Sequence, residues 1–261
     1  MPRLKPLLFA LGLVSGTAFA APLKIGTTAA FAPPLEVAVQ EAKAAGVDVE
    51  LVEFSDWIAP NTSLANHDID ANYYQHIPFL ENAKRSAGYD LVAVAPGIIN
   101  NVGLYSKKYR TLAEVPKGAR VAIANDAING GRGLLLLERS GFITLKPGVG
   151  YHATLADITG NPRDIQIIEL EAVQLARSLD DVDLAQGYPH YLRLAKTLDP
   201  NQALLFDGLD HPEYVIQFVA RPDNRDDPRL AKLIDLYQHS PKVRAALDQA
   251  YGTLYQPGWK K

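Results

Sequence analysis

The chain has 261 residues, a formal net charge of −3 at pH 7 and no cysteine. The slight negative charge gives no indication of a nucleic-acid or anionic-membrane partner. The lack of cysteine excludes disulfides, cysteine-based metal sites and thiol nucleophiles, so stability has to come from buried apolar surface.

The first segment has the pattern of a secretory signal peptide. Arg3 and Lys5 precede an apolar stretch over residues 7–14, and a small-x-small sequence follows at residues 18–20. A membrane anchor needs roughly 20 apolar residues, and this stretch is too short. We therefore predict that residues 1–20 are removed and that the product is soluble and exported.

Short apolar runs alternate with segments of helical periodicity in the first half of the remaining chain. The predicted strands are 23–27, 47–54, 70–74, 91–99 and 102–105, and the predicted helices are 35–45, ended by Gly46, and 78–87. This alternation predicts α/β layers with mainly parallel strands.

A second set of elements follows. The predicted strands are 119–124, 165–170, 182–185 and 214–220, and the predicted helices are the segment around 134–137, then 172–179, the segment after Asp227-Pro228, and 241–251. Two α/β sets of around 100 residues each fit two lobes better than one large sheet.

An arginine lies where helix electrostatics disfavour a cation. In NDAINGGRGLLLLERSG, residues 125–141, the leucines form the helix body, so Arg132 is predicted in the first turn beside the positive end of the helix dipole. A bound anion would be held there by the guanidinium and by free backbone N–H groups. Asn129 lies three residues earlier on the same face. A solvated arginine beside a glycine turn is an equally open interpretation.

Two other candidate sites follow predicted strands. His76 comes after the strand 70–74, at the carboxyl edge where open α/β sheets bind ligands. Tyr73 and Tyr74 point to opposite faces of a regular strand, so at most one of them lines a cleft. Trp57 follows another strand and is suited to form an apolar wall.

Catalytic and metal patterns are weak. Neither G-x-S-x-G nor H-E-x-x-H occurs, and neither a P-loop nor a dinucleotide fingerprint is present. The spacing of Ser55, Asp56 and His76 does not support a triad, and HDID at residues 67–70 is interpreted as a polar turn. We predict no catalytic residue, no metal site and no cofactor.

Several stretches together resemble one family over nearly the whole chain. They are VEFSDW, IDANYYQHIPFL, DLVAVA, GLYSKKYRTLAEVPKGARVAIANDAINGGRGLLLLERSG, LEAVQLARSLDDVDLA and LDP. They are similar to the NlpA/MetQ family of methionine-binding proteins of ABC importers. The resemblance implies a two-lobed periplasmic-binding-protein fold, type II-like, that closes around one small ligand and delivers it to an ABC permease and its ATPase subunit.

The resemblance also implies roles for individual residues. It assigns Arg132 to the ligand carboxylate and Asn129 to a nearby polar contact, and it places His76 in the cleft. Trp57 and Tyr74 match aromatic positions around the ligand side chain.

The sequence departs from the family at three points. Tyr188 and Ile216 stand near two positions where family members have asparagines that help to hold the α-amino acid. Tyr188 is therefore included among the expected ligand-binding residues. The ligand is expected to be methionine or a related amino acid, with a modified amino acid or a small peptide as the alternative. The family's lipid-bearing cysteine is absent, so we expect a freely diffusing periplasmic protein without a lipid anchor.

The resulting hypothesis is a monomeric solute-binding protein rather than an enzyme. Lobe one comprises residues 21–107 plus 215–261, and lobe two comprises residues 108–214. The rival interpretations are an exported enzyme with His76 as general base, a metal carrier, and the effector domain of a regulator.

Overall fold

Residues 21–260 are described by a computed structural model. The predicted signal peptide, residues 1–20, lies outside the described residues. Within residues 21–260, no helix is long and apolar enough to cross a bilayer.

The described chain alternates strands and helices from end to end. The strands are β1 (Leu23–Thr28), β2 (Val49–Phe54), β3 (Ala71–His76), β4 (Val92–Pro96), β5 (Ile98–Asn100), β6 (Gly103–Tyr105), β7 (Arg120–Ala124), β8 (Thr144–Leu145), β9 (Ile158–Gly160), β10 (Gln166–Leu170), β11 (Leu184–Gly187), β12 (Leu205–Phe206), β13 (Ile216–Ala220) and β14 (Tyr255–Pro257). The α-helices are α1 (Ala32–Ala44), α2 (Ala59–Ala65), α3 (Ile77–Ala87), α4 (Ala127–Arg139), α5 (Leu175–Ser178), α6 (Pro189–Ala195), α7 (Pro228–His239) and α8 (Pro241–Tyr251).

One five-stranded sheet has the order β2-β1-β3-β13-β4. β1 is parallel to β2 and β3, and β13 is antiparallel to β3 and β4. Tyr73 of β3 is fully buried behind this sheet, where its ring stacks on Phe218 at 4.4 Å and its hydroxyl lies 2.8 Å from that of Tyr237. Tyr74 points to the other face, as the alternation of strand side chains requires.

The second five-stranded sheet has the order β10-β7-β11-β6-β12. β7 is parallel to β10 and β11, while β6 is antiparallel to β11 and β12. The two sheets form two α/β lobes, as the sequence predicted. Because β6 pairs with β11 and β12, we propose that the lobe boundary lies ahead of β6 rather than after residue 107.

Helix ends follow the local chemistry. The Asp227 carboxylate accepts a hydrogen bond from the Arg229 N–H at 2.8 Å, and Pro228 occupies the first turn of α7. α3 begins at the cap residue His76 and ends at Gly88, whose φ of 73° is accessible to glycine without strain. These caps fix where β3 stops and α3 begins, which positions His76.

Candidate functional site

A cavity lies between the two lobes. It is lined by side chains from both lobes: Phe31, Trp57, Tyr74, Gln75, His76, Phe79, Asn100, Asn129, Arg132, Tyr188, His190 and Ile216. All six residues singled out from the sequence are in this set. Among the lining residues that the structure describes, Arg132 is the one lysine, arginine, aspartate or glutamate.

The position of Arg132 within its helix differs from the prediction. α4 begins at Ala127, so Arg132 lies in the second turn rather than the first. The Asp126 side chain caps the helix and accepts hydrogen bonds from the N–H groups of Ile128 and Asn129, at 3.3 and 2.9 Å. The prediction was wrong because it started the helix close to the leucines, whereas Gly130 and Gly131 already lie within it. The amides expected to help hold an anion are therefore already occupied.

The α4 glycines permit close packing of the helix. A Cβ at Gly131 would lie 2.2 Å from the Tyr151 carbonyl oxygen, and one at Gly133 would lie 2.6 Å from Oε1 of Gln186. Both distances are far below normal contacts. Glycine is therefore required for the approach that carries Arg132 to the cavity.

Arg132 is 4% exposed, and its guanidinium is paired with a carboxylate. Its Nε and Nη2 atoms lie 2.6 and 2.5 Å from Oδ2 of Asp207, and Nη2 donates to the Asn100 carbonyl oxygen at 3.4 Å. Its central carbon stands 4.0 Å from the centroid of the Tyr214 ring. Within residues 21–260 these bonds use Nε and Nη2, which leaves Nη1 available for a second carboxylate.

His76 is a buried, neutral ring. Its Nδ1 accepts a hydrogen bond from the Phe79 N–H at 3.3 Å, so the neutral ring carries its proton on Nε2, which faces Oδ1 of Asn129 at 3.4 Å. Burial, and to a lesser extent the nearby Arg132 charge, lowers the pKa of His76 to about 3. A histidine with this pKa is a poor proton acceptor at neutral pH.

Asn129 is fixed from two sides. Its Nδ2 donates to both carboxylate oxygens of Asp126, at 3.1 and 3.2 Å. Its backbone carbonyl accepts a hydrogen bond from Nε2 of Gln186 in β11 at 3.0 Å. The first turn of α4 is therefore attached to the second sheet and presents the amide in one orientation.

Aromatic side chains close the cavity across the lobes. Trp57 of the first lobe packs edge-to-face on Tyr188 of the second, with ring centroids 5.3 Å apart. Its Nε1 donates to the Tyr191 hydroxyl at 3.0 Å, and its carbonyl accepts from the Tyr74 hydroxyl at 3.1 Å. The bond between Trp57 and Tyr191 and the contact between His76 and Asn129 join the two lobes, whereas the bond from Tyr74 lies within the first lobe.

Sequence reasoning missed several residues of this site. They are the lining residues Phe31, Gln75, Phe79, Asn100 and His190, and the two partners of Arg132, Asp207 and Tyr214. Asp207 follows the apolar run of residues 204–206, and His190 lies two residues after Tyr188, which are weak signals in the sequence. No group of three metal-ligating side chains comes together in the described part of the chain.

The relatives of the chain carry related names. It is 43% identical to "Lipoprotein 28" of Escherichia coli O157:H7 and 40% identical to the "D-methionine-binding lipoprotein MetQ" of E. coli strain K12. Each alignment covers 82% of this chain and 79% of the relative.

Solved structures share the architecture. The crystal structure of the methionine-binding protein MetQ matches with a TM-score of 0.87 and 38% identity, over 92% of this chain and 98% of that one. A nutrient-binding protein from Burkholderia cenocepacia, solved bound to methionine, matches with a TM-score of 0.85 and 34% identity, over 91% of this chain and 100% of that one. The two-lobed binding-protein fold predicted from the sequence is confirmed.

The expectation of a protein without a lipid anchor was wrong. The relatives are named as lipoproteins, a class of proteins that carry a lipid anchor. The expectation relied on the absence of cysteine. A missing cysteine excludes attachment of a lipid through a cysteine side chain, but it does not determine where the protein is located.

The resemblance stated from the sequence motifs is confirmed across the described chain. The model of the family described as "NlpA lipoprotein" matches residues 23–259, which is nearly all of residues 21–260. This chain belongs to the NlpA lipoprotein family.

Proposed function

We propose that this chain is the periplasmic solute-binding component of an ABC importer and that its ligand is a small carboxylate, methionine or a related amino acid. Relatives at about 40% identity are named as methionine-binding, and one matching structure holds methionine. The proposed partners are the permease and ATPase subunits of the importer.

One observation carries the choice of ligand chemistry. The Arg132 guanidinium provides a positive charge in a cavity that is otherwise lined by neutral side chains. Asp207 occupies one edge of its guanidinium, and Nη1 remains for the ligand. A carboxylate there gains a charge-assisted hydrogen bond in a site screened from water.

The other side chains complete the proposed site. Asn129 and His76 form its polar rim, and Trp57, Tyr74 and Tyr188 surround the apolar part of the ligand. Because Trp57 and Tyr188 come from different lobes, ligand contacts with both rings favour the closed state over an open one.

The enzymatic alternative relies on His76 as a general base. Its low pKa and the engagement of both ring nitrogens disfavour that role. We therefore infer that the cavity binds its ligand and releases it unchanged.

Ligand release followed by a binding panel tests the proposal. Mass spectrometry of small molecules freed by denaturing the purified protein should detect an amino acid or a related carboxylate. A thermal-shift panel should contain both methionine enantiomers, methionine-containing dipeptides and other amino acids. A panel without any shift, together with release of a molecule lacking a carboxylate, contradicts the proposed function.

A further inference from the structure

A second buried histidine lines the same cavity and has no role in the proposed function given above. His190 is the second residue of α6 and is 5% exposed. The β11 strand ends just before the helix cap residue Tyr188, and Pro189 opens α6, so the chain turns here directly at the wall of the cavity.

The imidazole of His190 is enclosed by aromatic rings. Its centroid lies 4.6 Å from that of Tyr191, 5.2 Å from Phe31, 6.0 Å from Tyr188 and 6.4 Å from Tyr251. Phe31 belongs to the first lobe and Tyr188 to the second, so the imidazole lies at the junction between the lobes. It lines both the cavity and an outer groove between α1, α6 and α8.

Neither ring nitrogen of His190 has a hydrogen-bond partner. Both Nδ1 and Nε2 are shielded from solvent and unpaired within residues 21–260. His76 lines the same cavity and uses both of its nitrogens. Buried polar groups are normally paired, and an unpaired one costs free energy that a bound molecule can recover.

The charge state of His190 restricts what it can bind. Burial lowers its pKa to about 3, and no carboxylate lines the cavity among the described residues. The ring is therefore neutral at periplasmic pH and offers one donor and one acceptor. A cationic ligand group beside it would be buried without a counter-ion, and Arg132 is already assigned to the ligand carboxylate, so an uncharged hydrogen-bonding group fits best.

We propose that His190 is a specificity-determining residue and that the preferred ligand carries, besides its carboxylate, an uncharged hydrogen-bonding group that the imidazole binds. The class comprises small amino or related acids that end in an amide, a hydroxyl or a sulfoxide rather than in a bare thioether. This inference rests on the proposed function, because it takes Arg132 as the carboxylate partner. The two side chains line one cavity, so one small molecule can contact both.

Methionine and methionine sulfoxide form a matched pair for the test, since they differ by one oxygen atom. Isothermal titration calorimetry on the full chain should show that the sulfoxide binds about two- to tenfold more tightly than methionine, the gain expected from one buried hydrogen bond. Equal affinities, or a preference for methionine, overturn the inference without any variant.

Variants of His190 test whether this residue causes the preference for the sulfoxide over methionine. In His190→Phe, which keeps an aromatic ring in the cluster, the preference should disappear, whereas His190→Gln should retain part of it. His239→Phe is the matched control, because His239 is exposed on α7, and it should behave as wild type. A preference that survives in both His190 variants overturns the inference.

The outcomes separate this inference from the proposed function. Binding of both ligands with equal affinity, abolished by Arg132→Ala, contradicts the role of His190 and leaves the proposed function standing. Failure of every amino acid in the thermal-shift panel contradicts both.

Discussion

The cavity has two differently built regions. Around Arg132 the protein supplies partners for its own polar groups: Asp207 pairs with the guanidinium, and Asp126 holds the amide of Asn129. Around His190 the protein supplies aromatic rings and leaves both imidazole nitrogens unpaired. The first region is organised before any ligand arrives, and the second has hydrogen bonds to gain from one.

This difference assigns different tasks to the two regions. A prearranged cation recognises a group that all members of a ligand class share, at little cost in reorganisation. The unpaired donor and acceptor of His190 distinguish one carboxylate ligand from another, because a ligand that lacks a matching hydrogen-bonding group leaves both of them unsatisfied. Variants of the two regions should therefore affect binding in different ways.

The largest effect is expected from Arg132→Ala. Removing the guanidinium leaves Asp207 buried without its partner, which should lower the free energy of unfolding by about 3–5 kcal/mol. Affinity for methionine should fall more than about tenfold, because the ligand carboxylate loses its cation. Urea unfolding and calorimetry measure the two effects.

Arg139→Ala is the control for that variant. Arg139 lies on the same helix but outside the lining of the cavity, and it donates to the Asp207 carbonyl oxygen at 2.6 Å. Its loss should leave affinity near the wild-type value. Unchanged affinity in Arg132→Ala itself removes the arginine from the site.

Gly131→Ala tests whether the Arg132 region depends on close helix packing. The added methyl group would lie 2.2 Å from the Tyr151 carbonyl oxygen. Unfolding should become easier by about 1–3 kcal/mol, although alanine favours helices over glycine by up to about 1 kcal/mol. Urea unfolding measures this.

An exposed helix position serves as its control. Lys43→Ala on α1 should change the free energy of unfolding by less than about 0.5 kcal/mol. A Gly131→Ala variant as stable as wild type shows that α4 can move away from Tyr151.

The two buried histidines predict a pH dependence of stability. Their folded pKa values are about 3, below the ordinary value of 6.5, so between these limits the unfolded chain binds more protons. Their contribution is fully present above pH 6.5 and is lost as pH falls toward 3, by up to about 1.4 kcal/mol per pH unit for each histidine. Urea unfolding at a series of pH values measures the slope.

His190→Phe should reduce that slope and His239→Phe should not. His190→Phe removes one of the two buried histidines, so the loss of stability on acidification should become shallower. Identical slopes in wild type and His190→Phe contradict a buried neutral imidazole at this position.

The smallest effect is expected from Trp57→Phe, which removes the interlobe hydrogen bond to Tyr191. One such bond contributes about 0.5–1.5 kcal/mol, so affinity should fall about two- to tenfold. Ligand-dependent tryptophan fluorescence should also disappear. Trp259→Phe, away from the cavity, should retain both, and the reverse pattern contradicts closure of the lobes over the ligand.

Much of the fold was readable from local patterns. Alternating apolar runs predicted β1, β2, β3 and β7, and helical periodicity with Asp227 and Pro228 predicted α7. The short helices α2 and α6 were missed because each has seven residues, too few for a periodic pattern to develop.

The site was only partly readable. Residues at strand ends, such as His76 and Trp57, were found because the carboxyl edge of a sheet is a general ligand position. Asp207 was missed because it meets Arg132 across 75 positions of sequence, and no local pattern encodes such a pairing. The start of α4 at Ala127 was also missed. Gly131 and Gly133 lie within the helix because they pack closely against distant segments of the chain, which no local pattern shows.

The central claim is that Arg132 binds the carboxylate of the ligand. Calorimetry with methionine and with methioninamide, in which a neutral amide replaces the carboxylate, tests this most directly at about pH 6, where both carry an ammonium group. Wild type should bind methionine more than about tenfold more tightly than the amide, and Arg132→Ala should lose most of this discrimination. Equal binding of the two molecules by wild type contradicts the claim.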